Sequence, residues 1–95
     1  MSIRGLAELR LEINDIDEKM IELFKMRMQV VKEVARYKIE NDIEVLDGSR
    51  EEFIIKKHTE NVKDPELSEE IGEFIECLLR ISRAAQKGTI DNYKR

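Results

Sequence analysis

The chain has 95 residues, 40% charged and 41% hydrophobic, with five aromatic residues and a net charge of −4. That length supports one domain, residues 1–95, with a modest core. An acidic chain with no basic run is a poor partner for nucleic-acid phosphates, and the longest apolar runs are too short to span a bilayer. Residues 1–20 are charged throughout and show no signal-peptide pattern. The lone Cys77 cannot close an intrachain disulfide, which favours a reducing, cytoplasmic location.

No stretch alternates in strand fashion, so the expected fold class is all-α. Helix 1 is expected over about 5–41. Apolar residues recur there in steps of three and four: Leu6, Leu9, Ile13, Ile16, Met20, Leu23, then Val30, Val34 and Tyr37. Such a helix would be roughly 54 Å long, against a diameter near 32 Å for a compact globule of this size. Its stripe would overhang into water unless a second chain covered it, so a two-fold homodimer is expected. Asn41 to Gly48 reads as a loop. Ser49 at the N-cap with Glu52 at N3 fits a capping box, opening helix 2 over about 50–61. Its apolar face would be Phe53, Ile54 and Val62. Asp64-Pro65 is a second start signal, for helix 3 over about 65–87. Gly88 is expected to stop that helix, leaving a frayed polar tail over 88–95.

Polar residues stand where these stripes should stay apolar. Arg27 occupies the seam position after Leu23, and Ser82 and Gln86 interrupt the helix 3 stripe one turn apart. Arg27 and Lys38 are eleven residues apart, which places them within about 20° on the helical wheel and about 16 Å apart along the axis. Arg10 lies about 42 Å from Lys38 on the same helix, too far to serve one site within one chain. In an antiparallel pairing of two helix 1 copies about Ile21, the partner's Arg10 instead faces Lys32, midway between Arg27 and Lys38. The pattern suggests a site shared between subunits, roofed by Ser82 and Gln86 and closed at one end by Arg50 and Glu51. Cations in an apolar seam call for an anion, here a small polyanion such as a dicarboxylate. Singly, each residue has a plainer explanation. Arg27 would set register or snorkel, Ser82 and Gln86 would satisfy each other, His58 would face water, and Cys77 would fill a small core position.

Taken in order, these residues resemble the all-helical chorismate mutase family, the AroQ class. The opening Leu9-Arg10-x-x-Ile13-x-x-Ile16-Asp17 is similar to the family's first-helix signature. Arg27 and Lys38 follow at matching spacing, then Asp47-x-x-Arg50-Glu51, then Ser82-x-x-x-Gln86. The resemblance covers Leu9 to Gln86. It implies an intertwined dimer of three-helix chains with two sites, each converting chorismate to prephenate without cofactor or metal. It further implies that Arg10 from the partner chain, Arg27 and Lys38 hold the two carboxylates. Lys38 and Gln86, the catalytic pair, would reach the ether oxygen of the breaking bond. Glu51, with the backbone near Asp47, would take the ring hydroxyl. Ser82 would assist a carboxylate, Arg50 would order the second-helix end, and Val34 and Leu79 would supply apolar walls.

Two other readings compete. Isochorismate pyruvate-lyase is another reaction on the same fold with a similar cation set. The complete Asp47-x-x-Arg50-Glu51 set favours the mutase. A non-catalytic helical dimerisation module explains the heptads but leaves Arg27, Ser82 and Gln86 without a purpose.

Overall fold

The computed structural model describes residues 4–60 and 65–93. It is all-α: α1 (Leu6–Glu40), α2 (Gly48–Glu60), a 3₁₀ turn (Pro65–Leu67) and α3 (Ser68–Tyr93). The chain divides into two compact units, Met1–Val30 and Val31–Arg95.

The first unit holds most of α1, which runs without Pro or Gly. Its stripe residues Leu9, Ile13, Ile16, Met20 and Leu23 are all exposed, from 37% at Leu9 to 64% at Leu23. Its described ion pairs, Arg4–Glu12 and Glu22–Lys25, are solvent-facing. Such pairs contribute little to stability. Helicity in this unit therefore rests on propensity and on whatever covers the stripe.

The second unit begins inside α1 and contains the loop, α2 and α3. The C-terminus of α1 is closed by a Schellman motif. The Ile43 amide donates to the Lys38 carbonyl at 2.9 Å and the Asp42 amide to the Ile39 carbonyl at 3.5 Å. Asp42 sits at the left-handed position, φ 54°, where a short polar side chain is tolerated better than most. The Asn41 side chain adds a bond to the Tyr37 carbonyl.

At the start of α2 the structure corrects the expected cap. The Asp47 carboxylate accepts from the Arg50 amide at 2.9 Å, and the Asp47 carbonyl accepts the first helical bond, from Glu51. Asp47 is thus the N-cap, and Ser49 lies inside the helix. Glu52 does not reach back to the cap; it pairs with Lys56 one turn on, at 3.0 Å. Asp outranks a Ser two residues later because its carboxylate also meets the positive end of the helix dipole.

Helices α2 and α3 pack together. Ser68 Oγ donates to the Thr59 carbonyl at 2.9 Å, satisfying one of the last α2 carbonyls. Gly72 lies against the Thr59 methyl, 3.5 Å from where a Cβ would stand. Among the described residues, Leu79 is the large apolar side chain that is buried, worth about 1.5–3 kcal/mol. Phe53, expected on the apolar face of helix 2, is exposed, as are Phe74 and Cys77, the latter expected in the core. The expected roles of Val62 and Asp64 lie outside the described residues.

Gly88 does not end α3, which continues to Tyr93. The expected tail over 88–95 is therefore helical as far as it is described. A single Gly costs about 1 kcal/mol in a helix interior, and burial of the stripe beyond it works against that cost. Thr89 Oγ1 bonds the Ala85 carbonyl at 3.0 Å. Ile90, four residues after Gln86, is half-buried and continues the stripe.

Candidate active site

Lys38 is held at three points within the second unit. Its carbonyl accepts the Schellman bond, and its ammonium donates to the Val45 carbonyl at 2.8 Å and to Gln86 Oε1 at 3.0 Å. The loop after α1 thus holds the residue at its backbone carbonyl and at its ammonium. An ammonium has three donors and no acceptor, so one N–H remains for a ligand. The same rule fixes Gln86: its amide oxygen must face Lys38, which turns its NH₂ group to other acceptors. Gln86 is buried, 9% exposed. Two residues 48 positions apart become a pair of preoriented donors.

Around this pair the second unit arranges further residues named from sequence. Leu79 and Ser82 are buried on the same face of α3 as Gln86. Ser82 Oγ donates to the Leu78 carbonyl at 2.7 Å. To donate to a carboxylate, it would have to turn away from its own helix. Glu51, in the first turn of α2, is ion-paired with Arg83 of α3. Arg83 was not visible as a site residue from sequence. Its signal was there in retrospect, a cation next to Ser82 and one turn before Gln86. A cleft of about 520 Å³ opens between α2 and α3, lined by Glu51, Ile55, Leu79, Arg80 and Arg83.

The remaining residues named from sequence have their own settings. Asp47 is exposed, its carboxylate engaged in the cap. Arg50 lays its guanidinium over the Phe53 ring, 5.5 Å from the centroid. Such stacking on the same helix contributes modestly when exposed. Val34 is 40% exposed, while its neighbour Ala35 is fully buried. Arg10 and Arg27 belong to the first unit, Arg10 exposed and Arg27 half-buried on α1. Two hydrogen-bond donors fixed beside apolar side chains suit a reaction in which charge grows on a single oxygen.

The family model for chorismate mutase type II matches residues 9–87. This chain belongs to that family. It is also 33% identical over 86 residues to the chorismate mutase of Methanocaldococcus jannaschii, covering 90% of this chain and 87% of the relative. No solved structure matches it. The matched span begins at Leu9 and ends one residue after Gln86, so it contains every candidate site residue named from sequence.

Proposed function

We propose that this chain is a chorismate mutase, rearranging chorismate to prephenate on the route to phenylalanine and tyrosine. The observation that carries the reading is the Lys38–Gln86 hydrogen bond in a chain of this family. The rearrangement is pericyclic and asks for no nucleophile and no proton transfer. The protein must hold the enolpyruvyl arm over the ring, an orientation task. It must also stabilise negative charge on the ether oxygen as the C–O bond breaks. Lys38 and Gln86 supply that charge stabilisation. Their mutual bond orders both before substrate arrives, so little reorganisation is left for the reaction itself.

In this proposal Arg27 and Lys38 bind the substrate carboxylates together with Arg10 of a partner chain. Ser82 assists a carboxylate, Glu51 accepts from the ring hydroxyl, Asp47 and Arg50 order that end of the site, and Val34 and Leu79 form its walls. The working form is a homodimer in the cytoplasm. The exposed stripe of α1 supports the dimer, because a monomer that leaves so long an apolar row in water is prone to association. Among the described residues, no helix is long and apolar enough to cross a membrane.

The test is to incubate the purified protein with chorismate and, separately, with isochorismate, and to identify products by chromatography. Prephenate from chorismate is expected. Salicylate and pyruvate from isochorismate with little prephenate would replace the mutase by the lyase, and turnover of neither would leave a dimerisation module.

A further inference from the structure

We infer that Arg83 is a positioning residue that sets the Glu51 carboxylate for the substrate's ring hydroxyl. The inference rests on the proposed mutase activity and deepens it. The guanidinium of Arg83 contacts Glu51 Oε1, joining the first turn of α2 to α3. The Glu51 side chain is 20% exposed and that of Arg83 39%. Both line the open α2–α3 cleft with buried Leu79, so the pair stands at the mouth of a cleft that a ligand can enter.

A glutamate has three rotatable side-chain bonds, and an unpaired one would sample many positions. The guanidinium occupies one carboxylate oxygen and leaves Oε2 with its lone pairs to accept from a hydroxyl. A charge-assisted bond of this kind restricts the carboxylate to one orientation. Arg83 itself touches no substrate atom in this scheme; it acts through Glu51. Because the hydroxyl is not at the breaking bond, the effect belongs to binding and should appear in KM before kcat.

The experiment compares Arg83→Met and Arg83→Lys with the parent protein on two substrates: chorismate, and an analogue lacking the ring hydroxyl. A hydrogen bond to a charged group contributes about tenfold or more in affinity. Arg83→Met should therefore raise KM for chorismate about tenfold with kcat within about twofold. On the analogue, Arg83→Met and the parent should have equal KM. Arg83→Lys should recover most of the loss, because a single N–H to Oε1 contact is within reach of an ammonium. An equal loss on both substrates, a loss confined to kcat, or no loss at all would overturn the role of Arg83. Circular dichroism on both variants excludes unfolding, and the Lys variant keeps the test usable if the Met variant does not fold. Failure of the parent protein to turn over chorismate would overturn the mutase reading instead, so the two failures are separable.

Discussion

Lys38 and Gln86 are bonded to each other, so they should act as a unit. Lys38→Ala and Gln86→Ala are each expected to lower kcat by two to three orders of magnitude, about 3–4 kcal/mol in the barrier, with the helical circular dichroism spectrum unchanged. The double variant should lose much less than the product of the single losses, because removing either member releases the other. Steady-state kinetics on the four proteins measures this. The amide of Gln86 has no proton to lose near neutrality, so activity should stay roughly flat from pH 6 to 8. Gln86→Glu should behave differently. An ionised Glu beside Lys38 is an acceptor only, so its kcat should rise as pH falls and the carboxyl gains a proton. A flat profile in that variant would remove Gln86 from the donor role. Arg27, Gln86 and Ser82 stood out in sequence because polar groups in a stripe are costly unless used, and Lys38 through its three-turn spacing from Arg27. Arg83 did not, because one more arginine on a charged helix is unremarkable until Glu51 is seen opposite it.

Each helix end has its own physical cause, and two of them overrode the sequence expectation. The Asp47 cap should be worth about 1 kcal/mol, so Asp47→Ala should lower the urea midpoint by that amount, and Asp47→Ser should retain most of it. Ser49→Ala should be nearly neutral, since Ser49 lies within α2. Gly88 lies inside α3 with no positive φ and open space where a Cβ would stand. Gly88→Ala should accordingly stabilise by about 0.5–1 kcal/mol, visible as a rise of about 2–8 °C in Tm. A fall in Tm would restore Gly88 as a helix stop. The existence of three helices followed from periodicity together with start signals, and their exact ends did not. A cap depends on which oxygen reaches an amide first, and Asp47 and Ser49 both had the chemistry. The run past Gly88 was hinted at by Ile90, but a helix is extended by what its stripe packs against, which no local signal reports.

The whole molecule is expected to be a homodimer with sites that borrow Arg10 from the partner. Chains carrying Arg10→Ala and chains carrying Arg27→Ala should each be nearly inactive. Unfolded together in equal amounts and refolded, they should regain about a quarter of parental turnover, because half of the dimers are mixed and each mixed dimer has one complete site. No recovery would rule out the shared site. The sequence by itself determined the fold class, the long uninterrupted α1 and the family, because helical periodicity and the spacing of polar residues along a stripe are properties of the chain. Only the tertiary structure decided that Lys38 is held by Val45 and Gln86, and that Glu51 faces Arg83. Those pairings span 7, 48 and 32 positions. At such separations partners are chosen by how the loop closes and how α2 lies on α3, and neither is written in any local pattern.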